Sequence, residues 1–318
     1  MKDNHYILLT IDVEDWFQVE NFKQCIPFSS WPSCELRVEQ NTHRLLDLFD
    51  AFEQKKYLQN PVNPVRPSTN KIKATFFILG WIAERLSHLV REIHDRGHEV
   101  ASHGFYHDLC NKQSREDLKK DLTDSKKLLE DIIGNRVYGY RAPSFAINYD
   151  ILKIIEDSGY LYDSSYNSFA LHGRYGKLSI DGYPKKGIAL PINQSTQSTN
   201  KLNQPINPKN FYELPISNLK LGGLTFPLGG GGYFRIIPNL LFKYGVKSIL
   251  KKENAYMFFM HPWEIDPDQP KVKDAFLTYK FRHYVNLKNT KTKLIKLIKK
   301  FEHCRFITCN QYLQELNN

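Results

Sequence analysis

Short apolar runs alternate along this chain with segments whose apolar residues recur every three or four positions. The runs Tyr6–Ile11, Ala74–Leu79, Glu99–Ser102, Val137–Tyr140, Leu161–Asp163, Tyr212–Ile216, Ala255–Met260 and Arg305–Thr308 have the length and composition of buried strands. Helical spacing predicts helices over Val38–Gln54, Trp81–Asp95, Arg115–Ile133, Tyr149–Asp157, Pro238–Lys252 and Thr290–Phe301. The third of these opens on "SRED", a capping-box pattern, and stops at Gly134. Strands alternating with helices imply parallel strands joined by crossovers, hence an α/β barrel or an open α/β sheet. Two polar stretches, "QNPVNPVRPSTNK" and "NQSTQSTNKLNQPINPKN", break the rhythm and read as surface inserts at about 55–72 and 193–210. Strand patterns resume on both sides of each. The expectation is one domain over residues 1–318, with a C-terminal extension from about 265.

Composition narrows this only slightly. The 318 residues suffice for a sizeable core, and no apolar run approaches a membrane span. The start, "MKDNHYILLTIDVEDW", lacks a signal-peptide layout, so a cytoplasmic location is expected. Five cysteines (Cys25, Cys34, Cys110, Cys304, Cys309) without paired-ligand spacing fit reduced thiols. The net charge of +10 is spread along the chain, which argues against nucleic acid. Its densest run, "KTKLIKLIKK" at 291–300, reads as an amphipathic helix with a solvated face. As a contact surface it would suit anionic lipid headgroups or acidic glycans as well as nucleic acid, and beside a membrane-borne substrate an anionic membrane surface.

The chemistry starts at "TIDVEDWF", residues 10–17. Here an apolar run leads straight into Asp12, Glu14 and Asp15. Three carboxylates at the end of a buried strand repel one another unless something positive sits among them. Other strand ends supply candidates: His103 and His107 in "SHGFYH", Arg141 in "YRAPSF", Asp163 after the fifth run, and His261 in "MHPWEID". In an α/β barrel such ends gather on one face. A second His-x-x-x-His pair, His94 and His98, sits before its strand and reads as structural. Two imidazoles and a carboxylate make a facial ligand set with open positions, suited to a catalytic divalent metal. A second acid held ionised by Arg141 could act as base toward water, and His261, oriented by Asp163, could protonate a leaving group.

With these motifs the sequence resembles the NodB-type polysaccharide deacetylases, carbohydrate esterase family four. "DVEDWFQV", "GGGGYFRIIP" (229–238), "HPWEIDPDQP" (261–270) and "FRHYVNL" (281–287) resemble a subgroup found with exopolysaccharide and exosortase gene clusters. The resemblance covers about residues 6–313. It implies a distorted (β/α) barrel of about seven strands and metal-dependent removal of acetyl from N-acetylhexosamine units. It implies Asp12 as base, His103 and His107 as ligands, Arg141 as the tether of the base, Asp163 as the acid tuning the catalytic histidine, and His261 as that histidine. Many members carry adjacent aspartates, whereas Val13 follows Asp12 here. Alternate strand residues share a face, which favours Glu14 as third ligand with Asp15 as the alternative. Zinc is the expected metal, and cobalt and nickel tolerate the same ligands.

The run "GGGGYFR" reads either as a backbone that a sugar can approach or as a plain flexible turn. Trp16, Phe17, Phe105, Tyr106, Phe145 and Trp263 flank the polar groups, some as sugar-stacking faces and at least half as core. The expected partner is an N-acetylated glycan or lipid-linked oligosaccharide, at the inner face of the cytoplasmic membrane. Two other readings compete: an amide hydrolase on the same barrel acting on a cyclic amide or ureide, and a non-catalytic glycan-binding relative.

Overall fold

A computed structural model of the chain describes residues 5–58, 71–169, 175–176, 178, 185–192 and 211–316. Apart from their edges, the two polar inserts lie outside the described residues. In chain order the strands are β1 (Tyr6–Val13), β2 (Ala74–Ile78), β3 (Glu99–Ser102), β4 (Gly139–Tyr140), β5 (Tyr162–Asp163), β6 (Leu190–Pro191), β7 (Tyr212–Glu213), β8 (Leu219–Leu221), β9 (Leu224–Phe226), β10 (Ala255–Met260) and β11 (Arg305–Phe306). The helices are α1 (Val38–Leu58), α2 (Gly80–Arg85), α3 (Ser87–Asp95), α4 (Arg115–Ile133), α5 (Tyr149–Asp157), α6 (Gly231–Ile236), α7 (Asn239–Glu253), α8 (Leu277–Tyr284), α9 (Leu287–Lys300) and α10 (Cys309–Glu315).

One sheet runs β10-β1-β2-β3-β4-β5-β7-β6, with β11 beside the start of β1. From β10 to β7 every pairing is parallel, seven strands in all, and β6 is antiparallel to β7 at the edge. The sheet curls into a half-barrel. Its two ends approach where the Met257 N–H donates to Ser217 Oγ at 2.9 Å, four residues after β7.

Alternation along the strands divides the core in two. Ile7, Leu9 and Ile11 face the helices, as do Phe76 and Ile78, while Leu8, Phe77, Met257 and Phe259 face into the curl. α10 closes the floor of the curl with Cys309, Tyr312 and Leu313. The same alternation carries Leu8 to Thr10 and then Asp12, so the first acid of the cluster stands on the inner face at the open end.

Helix ends follow local chemistry. Ser114 Oγ accepts from Asp117 N at the start of α4, and Gly134 takes φ 66° at its end. Asn148 caps α5 likewise. The single helix expected over Trp81–Asp95 is two, broken at Leu86 (φ −126°, ψ 51°). The change of direction lets Trp81 and Ile82 of α2 and Leu89, Val90 and Ile93 of α3 all reach the core. Buried His98 accepts the Ala74 N–H through Nδ1 and packs against Phe76; burial pushes its pKa down to about 3, a neutral core histidine. Among the described residues, no helix is long and apolar enough to cross a membrane.

Candidate active site

The open end of the curl holds a cavity of about 610 Å³. Asp12, Glu14, His103, His107 and His261 line it, with Phe145 and Trp263. Arg141 lies beneath, fully buried.

Arg141 leaves β4 and is saturated with partners. Its Nη1 donates to Thr10 Oγ1 and Asp12 Oδ1, both at 2.7 Å; Nε donates to Ser164 O at 2.9 Å, and Nη2 to Ser164 Oγ at 2.8 Å. The guanidinium also lies 4.1 Å from the centroid of Phe77. A buried charge is tolerable only when paired and hydrogen-bonded, and here one pairing fixes a single oxygen of Asp12. Asp12 Oδ2 is left toward His261 Nε2, 4.0 Å away.

The His103 loop is shaped by strain and by a half-buried acid. Gly104 (φ 75°) and His107 (φ 56°) both adopt the left-handed region, costly for a histidine. Asp121 of α4 anchors the turn between them by accepting Phe105 N–H at 3.0 Å. His103 Nδ1 lies 2.8 Å from Arg141 O. A carbonyl only accepts, so Nδ1 carries the proton and Nε2 keeps a free lone pair. Burial holds the His103 pKa down to about 4, against a smaller opposing pull from Asp12.

Glu14, His103 and His107 can each place a ligand atom within 4.8 Å of the others. Glu14 Oε2 sits 2.9 Å from His107 Nε2, yet that oxygen is buried without a hydrogen bond. Glu14 Oε1 is 3.0 Å from His261 Nε2. Burial disfavours the Glu14 anion, but the imidazoles of His107 and His261 outweigh it and hold its pKa well below the usual range. An orphaned carboxylate oxygen beside two imidazoles, one with a fixed free lone pair, is a donor set that fits a divalent cation.

One alternative and one expectation do not match the structure. Asp15 does not turn toward the histidines: its carboxylate accepts the N–H groups of Trp16, Arg37 and Val38 and caps the start of α1. Strand alternation is the reason, since Asp12 and Glu14 share a face that Asp15 leaves. Asp163 does not orient His261 either. It accepts from the Ser165 hydroxyl (2.7 Å) and N–H (3.0 Å), and Ser165 Oγ in turn accepts from Ala142 N. Asp163 thereby braces the Arg141 loop. It also stands opposite Glu213 on β7; burial, then Asp163 itself, raises the Glu213 pKa well above the usual carboxylate range.

The acid on His261 is Glu264, three residues on in the same short turn. Its Oε1 accepts the His261 N–H at 3.0 Å and lies 2.9 Å from Nδ1. Its Oε2 is 2.8 Å from Arg235 Nε of α6, a buried ion pair. Burial works against the imidazolium, but Glu14 and then Glu264 carry the His261 pKa up to about 10. Trp263 stacks between His261 and His283, with centroids 5.0 and 4.1 Å away. His-x-x-Glu in "HPWEID" was the available signal for Glu264; Arg235 had none beyond lying in "GGGGYFR". That run starts α6: a Cβ at Gly231 would collide with the Glu264 carboxylate. Close packing on Glu264, rather than sugar approach or a loose turn, explains that glycine. Of the flanking aromatics, Trp16 and Phe17 are core, Phe145 and Trp263 line the cavity, and Tyr106 is exposed.

Comparison with known proteins places these residues in three sequence segments. Residues 68–162 match the family model described as polysaccharide deacetylase, and they contain His103, His107 and Arg141. Residues 164–314 match a domain of unknown function (DUF3473), and they contain Arg235, His261 and Glu264. Asp12 and Glu14 precede both matches, yet strands from all three segments share one sheet. A peptidoglycan deacetylase-like protein of Gibberella zeae is 34% identical over 93 residues, 29% of this chain and 28% of that protein. A peptidoglycan-N-acetylglucosamine deacetylase of Bacillus cereus is 32% identical over 90 residues, 28% of this chain and 42% of that enzyme. The chain thus spans less than half the length of these curated relatives. Among solved structures, one from Mycobacterium smegmatis, titled as a polysaccharide deacetylase, aligns over 99% of this chain and 92% of its own, with TM-score 0.56 and 17% identity. An allantoinase aligns over 96% and 87%, with TM-score 0.54 and 12% identity. At such identities these two likenesses speak for the fold alone.

Proposed function

Taking as premise that residues 68–162 form a polysaccharide deacetylase domain, we propose that this chain is a metal-dependent hydrolase that removes N-acetyl groups from N-acetylhexosamine units. The single observation that carries the reading is the pairing of a Glu14–His103–His107 set with an Arg141-held Asp12 in one cavity. We assign the cation to those three side chains, with zinc first and cobalt or nickel also compatible. When bound, it supplies Lewis-acid polarisation of the acetyl carbonyl and of water.

The chain's own groups account for the rest. Arg141 fixes Asp12 Oδ1, which leaves Oδ2 as the atom that takes a proton from the attacking water. His261 presents Nε2 on the same side, because Glu264 occupies Nδ1. Once Glu14 is engaged with a cation, Glu264 is the carboxylate left to support the imidazolium. An amine leaves a tetrahedral centre poorly unless protonated, so Nε2 gives its proton to the departing nitrogen. Phe145 and Trp263 supply apolar walls for a pyranose ring.

We place the substrate in polysaccharide biosynthesis, on a lipid-linked or soluble N-acetylated glycan. The test is acetate release from a panel of N-acetylated oligosaccharides and lipid-linked sugars, with and without chelator. Release that stops on chelation and returns with metal supports the reading. Release from a cyclic amide or ureide alone would move the activity to another C–N bond, and no release would leave a glycan-binding protein.

A further inference from the structure

Two stretches of chain, 214–252 and 275–301, build one side of the cavity mouth through α6 and α8. Neither contains an Asp or Glu, and together they hold fourteen Lys and Arg residues. Among the described residues they also hold ten of the fourteen exposed large apolar side chains. One side of the molecule is therefore both basic and greasy. Isolated exposed apolar residues are ordinary, but a cluster of this kind beside a cavity marks a contact surface.

The geometry makes the cluster continuous. Leu277 and Phe281 of α8 and Ile236 at the end of α6 line the cavity and stand exposed. α7 begins three residues after Ile236. It buries Phe242, Val246 and Ile249 but turns Leu240 (82% exposed), Leu241 (64%) and Tyr244 outward, with Lys243 and Lys247 among them. The β8–β9 hairpin packs against α7 through Leu219, which would touch a Cβ at Gly245. Cross-strand pairing puts Leu219, Leu221, Leu224 and Phe226 on one hairpin face, so Leu221 and Leu224 project at the tip. Gly222 and Gly223, both at positive φ, turn the tip as only glycine readily does.

The basic helix at 291–300 is not the best candidate for the contact itself. Lys293 is committed to the carbonyls that end α6, including Ile237 O at 2.8 Å, and Leu294, Leu297 and Ile298 are buried. Its remaining lysines add positive potential beside the apolar patch.

We propose that this side of the molecule docks on an anionic membrane surface, with the hairpin tip, the start of α7 and the exposed edge of α8 entering the headgroup region. Apolar residues ringed by lysines, without a carboxylate in either stretch, match a lipid interface that is apolar within and negative at its surface. An acidic protein would match the lysines but leave the leucine tip without a partner. Docking holds the cavity mouth at the bilayer, where an N-acetyl sugar on a lipid carrier is presented. That substrate consequence rests on the deacetylase reading; the docking does not.

The test is co-sedimentation of the full chain with vesicles of phosphatidylcholine alone and of phosphatidylcholine with phosphatidylglycerol, at low and raised salt. Wild type is expected on the anionic vesicles, weakened but not released by salt. Leu240→Glu with Leu241→Glu should lower partitioning by about tenfold or more. Lys243→Gln with Lys247→Gln should lower it by about twenty-five-fold, since each lysine at the surface is worth about fivefold. Leu240, Leu241 and Lys247 are exposed and Lys243 is half-buried, all outside the cavity lining, and both variants should keep wild-type acetate release from a soluble oligosaccharide. Absence of anionic preference in wild type, or leucine variants that bind as wild type does, would overturn the proposal. Vesicle binding with the expected variant losses, but no acetate release by any form, would leave the docking intact and refute the deacetylase reading instead.

Discussion

Replacing Glu264 by Gln removes a charge while keeping a shape, and so tests what that carboxylate does for His261. In the wild type it accepts the His261 backbone N–H at 3.0 Å, lies 2.9 Å from Nδ1, and faces Arg235 Nε at 2.8 Å. Gln can still offer one oxygen to the ring. The loss is a charge-assisted hydrogen bond of about 1.5–3 kcal/mol replaced by a neutral one of about 1 kcal/mol. The imidazolium is thereby weakened by roughly 0.5–2 kcal/mol relative to the neutral ring, or about one pKa unit downward.

The sign follows from the role. A general acid must hold its proton when the amine departs, so turnover falls as pH rises through its pKa. Glu264→Gln should move the alkaline limb of the rate profile about one unit lower, with about tenfold less turnover above the limb and far less change below it. Stability should fall too, because Arg235 loses its counter-charge, but a structural loss alone does not move the limb. The assay is acetate release against pH for wild type, Glu264→Gln and Asp163→Asn, with urea unfolding midpoints beside it. Asp163→Asn should leave the limb in place, since Asp163 is spent on Ser165. An unmoved limb in Glu264→Gln would reduce Glu264 to an anchor for Arg235, and a limb moved by Asp163→Asn would return the tuning role to Asp163.

Metal analysis should find about one divalent ion per chain, lost in the His103→Ala, His107→Ala double variant; full content there would refute the site. Asp12→Asn should keep the metal and lose on the order of a hundredfold in turnover, whereas Glu14→Gln should lose metal affinity. Asp15→Ala should keep the metal but lower unfolding stability by about 2 kcal/mol, because the N–H groups of Arg37 and Val38 at the start of α1, and that of Trp16, lose their acceptor. His98 has a folded pKa of about 3 against about 6.5 unfolded, so only the unfolded chain takes up its proton as pH falls. Acidification from pH 7 to 5 should thus cost wild type about 2 kcal/mol through this group, a cost absent in His98→Gln, and equal pH dependence in urea unfolding would refute the assignment.

The fold was legible wherever burial imposes a period. β3 and β10 match the expected bounds, and α4 ends at the glycine the pattern pointed to. The strands β4, β5 and β7 are two residues each, shorter than the apolar runs that predict them. The β8–β9 hairpin, α6 and α8 were not expected. Their apolar residues largely face solvent or the cavity mouth, so no inward stripe exists to read. The hairpin and α8 parts of the docking surface escaped the pattern for that same reason, whereas the helix that became α7 did not.

The site divides along a similar line. Asp12, Glu14, His103, His107, Arg141 and His261 could be picked out because each follows an apolar run, and parallel strands bring such ends together. Preferring Glu14 to Asp15 as the proposed ligand needed only the two-residue period, and the Asp15 carboxylate is bound to Trp16 and the start of α1. The choice between Asp163 and Glu264 was beyond that logic. Both are buried acids near a strand end, and a ring is oriented by whichever carboxylate its own turn presents. Glu264 lies three residues from His261 inside one turn, with Arg235 behind it. Asp163 sits beside Glu213 in a low-dielectric pair whose raised Glu213 pKa means that the two do not both ionise freely. A carboxylate sharing its charge in that way is a poor support for an imidazolium. One held ionised by a buried guanidinium is a good one, and only the arrival of α6 from residues 231–236, a glycine run that reads as loop, makes that difference.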